Sequence, residues 1–550
     1  MPTFHIAQFG CRATQADAAA LERQLRDRGC IAAPDAASAD VVVVNPCTVT
    51  AAADAQARDA IRKIHTVNPD AQIIATGCYV QRAPEELAAL PGVTWVVGNS
   101  HKPQIPTLFG NGGSLDRSAV SLNSAQPTLL PAATLLTSST PSSVAFSQGS
   151  TPSSPQLRRV GFDGGGLDLT SSDTYGMDLN RFHHAKILTG DIFEQTTLLA
   201  APILGGENEH TRPILKIQDG CNLRCSYCVI PFVRGKSRSL PPQQVIDEIR
   251  QLAHSGYREV VLSGINLGMY GRDLSPRVAF EDLLRRILDE TSIDRLRISS
   301  IEPMDVTRDL IALFDSTDRL ARHFHMPLQS GSDKILAAMH RWYRAEHYAR
   351  RVELIREQIP DAAIGADVIA GFPGESDADH QATLDFIERL PFTYLHIFSF
   401  SKRPGTAAAS RNDEVPAATI QARARELRAL SEAKSAAFYA SQSGKTLQVL
   451  TLRPNTRANV GAHFTCVPAT QQNAADQETS PTQDRSTRIP NTRPGSTDAH
   501  PWTPAISSNY LHVRVAGEFP PNRMLSVSTI TIPGAHYLNA RPETAAAFAV

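Results

Sequence analysis

Apolar residues recur along this chain in two rhythms, and the rhythms alternate. FHIAQFGC, DVVVVNPC and QIIATGC are β-branched apolar runs with the length of buried parallel strands, and VTWVVGN at 93–99 reads as a fourth. Alanine-rich stretches near 15–29 and 51–65 separate them with helical spacing. This predicts a doubly wound α/β domain over residues 1–110. The alternation resumes over 208–440 with ILKIQDG, EVVLSGIN, RLRISSIEP, HFHMPLQSG, AIGADVIAGFPGE and YLHIFSFS. Helical stretches such as PPQQVIDEIRQLAHSG lie between them. Six β–α units in a row predict a (β/α)6 partial barrel, whose ligands gather at the C-terminal ends of the strands. One long helix is expected over 414–441. The tail, 444–540, carries TLQVLTL, YLHVRVAG and MLSVSTITI and reads as a small all-β domain.

Two stretches show no period. Residues 111–207 contain SAQPTLLPAATLLTSSTPSSVAFSQGSTPSSP, and 466–508 are polar and rich in Pro, Thr and Gln. Such segments bury too little apolar surface to offset their ordering entropy. Both are expected to be disordered insertions. His183 and His184 fall in the first and read as a solvated loop pair.

Composition adds little to the fold and more to the chemistry. Of 550 residues, 42% are hydrophobic and 20% charged, as in ordinary soluble domains. The formal net charge is −1, so any nucleic-acid contact must come from a local basic patch. No apolar run has the length of a membrane span, and MPTFHIAQFGC lacks the features of a signal peptide. A cytoplasmic location is expected. The eight cysteines are too sparse for a secreted disulphide framework, and three of them crowd into 221–228.

That crowd is CNLRCSYC: Cys221, Cys225 and Cys228. Three thiolates on one loop can hold three irons of a [4Fe–4S] cluster and leave the fourth iron open. In enzymes with this arrangement, S-adenosylmethionine (SAM) chelates the open iron and is cleaved to a 5′-deoxyadenosyl radical. The loop follows the first barrel strand, where a barrel displays its chemistry. The alternative is a structural zinc site, which calls for a fourth ligand that is not nearby. Cys11, Cys47 and Cys78 each end a predicted strand of the N-terminal domain. Those ends lie along one edge of a doubly wound sheet, so a second three-cysteine cluster is expected, with an open iron to hold a sulphur donor. The alternative is three small buried hydrophobes. Cys30 and Cys466 read as spare thiols.

Together these residues resemble the radical-SAM methylthiotransferases. The resemblance covers about 1–105, 208–440 and 444–535, through NPCTVTAAAD, ATGCYVQ, KIQDGCNLRCSYCVIPFVRGKSRS, VVLSGINLGMYG, RISSIEP, HMPLQSGSDKIL, DVIAGFPGE and SFSKRPGTAA. It implies a methylthiotransferase domain, a radical-SAM core and a C-terminal RNA-binding TRAM domain. It also implies two [4Fe–4S] clusters, one splitting SAM and the other carrying sulphur. Family branches act on isopentenyl-adenosine, on threonylcarbamoyl-adenosine or on a ribosomal-protein aspartate. SGINLGMYG, DGCNLRCSYCVIPFVRGKSRS and SKRPGT look most like the threonylcarbamoyl branch. That branch implies methylthiolation at carbon 2 of the modified adenosine at tRNA position 37. The implied partners are a tRNA anticodon stem-loop, a reduced flavodoxin- or ferredoxin-type electron donor and a sulphur source. One departure is Thr14, where the family often has Asn; Thr can still donate a hydrogen bond.

Other site residues follow from position. Tyr227 precedes the last cluster cysteine, Ser263 and Gly264 end the second barrel strand, Glu302 the third and Gln329 the fourth. Asp367 and Gly371 belong to the fifth. All are expected near SAM. Arg234, Lys236 and Arg238 follow the cluster loop, Lys402 and Arg403 end the sixth strand, and His512 and Arg514 lie on the β-domain. These cations are expected to neutralise RNA phosphates.

Overall fold

A computed structural model of the chain describes residues 2–109, 185–196, 198–203, 211–454, 501–531 and 537–543. His183, His184 and Cys466 lie outside them. Six parallel strands form the N-terminal sheet: β1 (Thr3–Gln8), β2 (Ile31–Ala32), β3 (Val41–Asn45), β4 (Gln72–Thr76), β5 (Val93–Gly98) and β6 (Lys186–Leu188). Their order is β2-β1-β3-β4-β5-β6. Helices Arg12–Asp27 and Ala51–Val67 cross between strands as the spacing predicts. Val42, Val44, Ile73, Ala75 and Val96 face Ala57 and Ile61 in the core.

The four expected strands are β1, β3, β4 and β5. β6 corrects the expectation that 111–207 is structureless throughout. Lys186–Leu188 pairs with Trp95–Val97, and the Lys186 ammonium lies 4.9 Å over the Trp95 ring. The edge of β5 offers unpaired backbone groups, and three residues suffice to take them. Averaged over a long polar stretch, so short a strand is invisible.

The central domain contains β7 (Ile214–Lys216), an antiparallel ribbon of β8 (Gln218–Asp219) and β9 (Arg238–Ser239), then β10 (Glu259–Ser263) and β11 (Arg295–Ile298). β12 (His323–His325), β13 (Ala363–Ala370) and β14 (Tyr394–Ser399) follow. β7, β10 and β11 form one parallel sheet and β12, β13 and β14 another. Isolated bridges Leu296–Leu320 and Ser300–His325 join them into the expected six-stranded partial barrel. Alternation sorts the side chains. Leu215, Val260, Leu262, Leu296, Ile298, Phe324, Ile364 and Leu395 pack outward in the main core. The alternate residues line the lumen: Lys216, Glu259, Ser263, Arg295, Arg297, His323, His325, Asp367, Tyr394 and His396. Parallel strands are ordinarily apolar on both faces, so a lumen this polar calls for polar partners. The long helix that follows is Ala417–Ser441.

The C-terminal strands close into a barrel: β15 (Thr446–Thr451), β16 (Trp502–Ser507), β17 (His512–Ala516), β18 (Met524–Thr531) and β19 (Leu538–Pro542), in the order β15-β16-β17-β19-β18. β16 corrects the expected insertion 466–508, and β19 was not anticipated. Their residues are unremarkable alone, but closure needs partners for the edges of β15, β17 and β18. This barrel seats against the N-terminal ends of the central strands. Arg295 donates to the carbonyls of Gln448 (3.2 Å) and Ile506 (3.1 Å), and Arg297 to those of Ser507 (2.9 Å) and Ser508 (3.0 Å). Both guanidiniums pair with buried Glu259, and Tyr510 stacks on His323 at 4.4 Å. Among the described residues no helix is long and apolar enough to cross a membrane.

Candidate active site

Gly220 opens the cluster loop with φ +71°, and a Cβ there would fall 2.0 Å from the carbonyl oxygen of Lys236. Only glycine lets the chain turn out of β8 so close to its returning strand. The Cys221 amide then donates to the Gly235 carbonyl at 3.0 Å, and the Cys228 amide to the Cys225 carbonyl at 3.1 Å. Ser226 anchors the middle of the loop by donating to the carbonyls of Ala338 (2.8 Å) and Met339 (3.0 Å). Burial pushes the Cys228 thiol up to about 12, and Cys225 and Cys221 add to the rise. Burial also raises Cys221. Two thiols that resist ionising, set beside a third on one loop, form a donor set whose thiolates call for a metal charge. Arg341 reaches the trio, its Nη1 lying 3.3 Å from Cys225 Sγ while Nη2 pairs with Glu302. Sequence reasoning missed Arg341, which stands 116 residues from Cys225 in no motif.

Most residues expected near SAM stand at or just past the C-terminal ends of the barrel strands. Ser263 is buried at the end of β10, and its carbonyl accepts from the Ile217 amide at 2.9 Å. A Cβ at Gly264 would meet Gln218 Oε1 at 3.0 Å. Burial raises the Glu302 carboxyl in spite of Arg341. Gln329 adopts φ +68°, and its amide donates to the Asp367 carbonyl at 2.8 Å. Tyr227 meets Phe372 edge-on at 6.5 Å on the chamber wall. Asp367 lies deeper in the lumen, accepting from His325 (2.9 Å) and His396 (3.2 Å). Burial opposes its ionisation, yet the two histidines hold the carboxyl well below the usual range. The ligand-type atoms of these three residues lie within 4.8 Å of one another, a grouping that the hydrogen bonds account for. Asn266 Oδ1, Ser299 Oγ, His323 Nδ1 and Arg341 Nε are buried without a partner. Orphaned polar atoms at strand ends and in the lumen suit a polar ligand such as SAM.

The second trio is assembled by three strand ends. Cys11 caps helix Arg12–Asp27, Cys47 follows β3, and Cys78 opens the short helix Gly77–Arg82 after β4. Gly10 has φ +114°, and a Cβ there would fall 2.3 Å from the Cys47 Cβ. The Cys47 hydrogen bond and nearby Arg234 lower the Cys11 thiol to about 5. The same contact and burial push Cys47 well up, with Cys78 adding to the rise. Thr14, the departure noted above, donates to the Cys11 carbonyl at 2.7 Å, so its hydroxyl steadies the cap. Cys78 packs against Val229 and Val233, which follow Cys228, so the segment leaving the cluster loop meets the second trio at the domain junction.

Beside them lies a buried ion cluster. Asp17 accepts from Lys102 (2.8 Å), Arg234 (3.1 Å) and Lys216. Asp219 pairs with Lys216 (3.0 Å), Arg234 (3.0 Å) and Arg238 (3.8 Å). Four cations meet two carboxylates. The surplus of two positive charges, felt at Cys11 and Cys78 through Arg234, fits a thiolate-rich, anionic occupant.

This arrangement corrects part of the RNA-contact expectation. Arg234 is 2% exposed, Arg238 8% and Arg403 3%, so all three are buried rather than set on the surface. Arg403 donates to Thr48 Oγ1 at 2.9 Å and pairs with Asp54, joining β14's end to the N-terminal domain. Their partners lie far away in sequence, so a basic run read as surface is interior. Lys236 is exposed, Lys402 is exposed and pairs with Glu414 at 2.5 Å, and Arg514 lies 3.7 Å over the Tyr537 ring on the small barrel, which also carries exposed His512. Sequence reasoning missed an exposed aromatic fringe. Trp342 is 53% and Phe232 47% exposed, and Arg224 lies 6.0 Å from the Phe232 ring.

Comparison with known proteins places the chemistry. Residues 215–387 match the radical SAM superfamily, and 3–98 match the family described as "Uncharacterized protein family UPF0004". The chain is 33% identical to the threonylcarbamoyladenosine tRNA methylthiotransferase MtaB of Aquifex aeolicus, over 81% of this chain and 92% of that protein. It is 28% identical to the tRNA-2-methylthio-N(6)-dimethylallyladenosine synthase of Carboxydothermus hydrogenoformans, over 82% of this chain and 87% of that one. Among solved structures, the radical S-adenosylmethionine methyltransferase TsrM of Kitasatospora setae aligns with a TM-score of 0.49 and 15% identity, over 74% of this chain and 75% of that one. A relative one-third identical and matched over nearly its whole length, whose family chemistry the two cysteine trios of this chain suit, shows that the chain belongs to the radical-SAM methylthiotransferase family.

Proposed function

We propose that this chain attaches a methylthio group to carbon 2 of N6-threonylcarbamoyladenosine at position 37 of tRNA. Membership in the family implies a [4Fe–4S] cluster and SAM. We assign the cluster to Cys221, Cys225 and Cys228, and a second one to Cys11, Cys47 and Cys78. When bound, the two supply the electron for reductive SAM cleavage and the sulphur that is transferred. The protein's own part is positional. Arg341 donates toward Cys225 and steadies Glu302 at the chamber mouth. Gly10 lets Cys47 approach Cys11. The Arg403–Asp54 contact holds the N-terminal domain to the barrel's catalytic end and keeps bulk water from the junction. Trp342, Phe232 and Arg224 beside the cluster loop offer stacking and charge to loop nucleotides, and the small barrel, a TRAM domain in this reading, grips the RNA elsewhere. A flavodoxin- or ferredoxin-type donor, a sulphur source and a cytoplasmic setting complete the scheme.

The observation that carries this reading is the contact of Cys78 with Val229 and Val233, which brings the two trios to one junction. Nucleoside mass spectrometry of tRNA from a deletion strain tests it. The 2-methylthio form of threonylcarbamoyladenosine should vanish, return with the wild-type gene and stay absent with Cys47→Ala. Similarity to dimethylallyladenosine enzymes favours isopentenyl-adenosine as the second reading. Loss of that methylthio nucleoside instead would select it.

A further inference from the structure

Arg12 follows Cys11 and is the first residue of helix Arg12–Asp27. Helical spacing puts Arg12, Ala16 and Ala19 on one face. Ala16 packs with Ile214 and Val261, and Ala19 lies against the same cluster. Ile214 and Val261 alternate with Leu215, Val260 and Leu262, which point outward into the main core. They are therefore lumen positions of β7 and β10. The helix lays this face along the open side of the barrel, and its first residue stands at the lumen. The charge of Arg12 acts on His323 and Tyr394, on strands of the other half-barrel.

Arg12 is partly buried there, and among the described residues no carboxylate pairs with it and no acceptor takes its N–H groups. The acids of the lumen and its mouth are engaged. Glu259 holds Arg295 and Arg297, Asp367 accepts from two histidines, Glu302 pairs with Arg341, and Asp219 with Lys216 and Arg234. His323 Nδ1 and Ser299 Oγ, in the same lumen, are buried without partners. A half-buried guanidinium without a counter-ion, beside orphaned polar atoms, can take an anion from outside. Planar guanidinium and planar carboxylate match as a two-toothed pair.

We infer that Arg12 anchors a carboxylate of the substrate nucleoside, namely the threonyl carboxylate of N6-threonylcarbamoyladenosine. This rests on the substrate reading above and says how that substrate is chosen. An isopentenyl group carries no charge and leaves Arg12 unpaired. Anchoring beside Cys11 also holds the adenine between the two trios. SAM carries a carboxylate of its own, so the test separates the two sources.

Three anticodon stem-loop RNAs serve as probes, identical except at the modified adenosine: threonylcarbamoyl, its carboxamide analogue and isopentenyl. Binding to the anaerobically reconstituted full chain is read by fluorescence anisotropy. Wild-type protein should bind the carboxylate RNA about ten- to a hundredfold tighter than the carboxamide RNA, as for one charge-assisted pair. Arg12→Gln should close that gap, and Arg12→Lys should keep part of it. The inference is overturned if Arg12→Gln retains the gap, or if it weakens both RNAs equally, as a phosphate contact would. It is also overturned if the defect is a raised Kd for SAM. A wild-type protein that neither prefers nor modifies the threonylcarbamoyl RNA over the isopentenyl RNA sinks the substrate reading itself.

Discussion

Replacing Arg403 with methionine separates two readings of the SKRPGT segment. As an RNA contact, Arg403 would supply one phosphate neutralisation. In the structure it is 3% exposed and joins the barrel to the N-terminal domain through Thr48 and Asp54. Methionine keeps much of the apolar stem and removes the charge. Asp54 is not orphaned, because Arg82 remains 3.0 Å away and also donates to Thr48 Oγ1 at 2.9 Å. The loss is therefore that of charge-assisted hydrogen bonding, about 1.5–3 kcal/mol, not the 3–5 kcal/mol of a buried ion left alone. At about 1.4 kcal/mol per factor of ten, the junction should open about 10 to 150 times more often. Native-state hydrogen exchange of peptides spanning 48–58 and 400–406 reads this directly. Asp54→Asn strands two guanidiniums and should exceed it. Exchange within about twofold of wild type would refute the reasoning. So would a fall of about one in the salt-dependence slope of tRNA binding, which belongs to a lost phosphate contact.

Other outcomes follow from the same geometry. Cys225→Ala should abolish 5′-deoxyadenosine formation and halve the iron of about eight per chain that two cubes require; full iron content in the variant would contradict the assignment. Gly10→Ala places a Cβ 2.3 Å from that of Cys47 at φ +114°, so about four irons should be lost while SAM cleavage survives; unchanged iron would show that the trio does not need this approach. Burial opposes the ionisation of Asp17, but Lys102, Lys216 and Arg234 hold its carboxyl well below the usual range. Its contribution is full above the unfolded value of about 3.9 and fades as pH falls toward the depressed folded value. Asp17→Asn should cost about 3–5 kcal/mol at neutral pH, seen as a lower urea midpoint of the metal-free protein, and should flatten the acid limb of stability below about pH 4. An unaltered midpoint would mean that the cluster is not coupled to folding.

What could be read along the chain was whatever is encoded locally. Alternation of apolar runs marked the six barrel strands and four of the N-terminal ones, because a strand packed in the core carries apolar residues on at least the face it buries. The CNLRCSYC loop and the cysteines at strand ends were visible for the same reason: a strand's C-terminal end is a place in sequence and in space at once. β6 and β16 were hidden because their stability comes from the edges they complete, Trp95–Val97 and Val449–Thr451. Accessibility of charge was decided only by the tertiary fold. Arg234 finds Asp17 217 residues away, and Arg403 finds Asp54 349 residues away, so two cations that look like surface are interior. Arg12 has the opposite history: an ordinary charge after a cysteine, it is a half-buried guanidinium unpaired among the described residues once its helix packs against the barrel strands. Local patterning sets which segments are strands and where metal ligands cluster; whether a charge meets water, a carboxylate or a ligand depends on contacts that no spacing along the chain encodes.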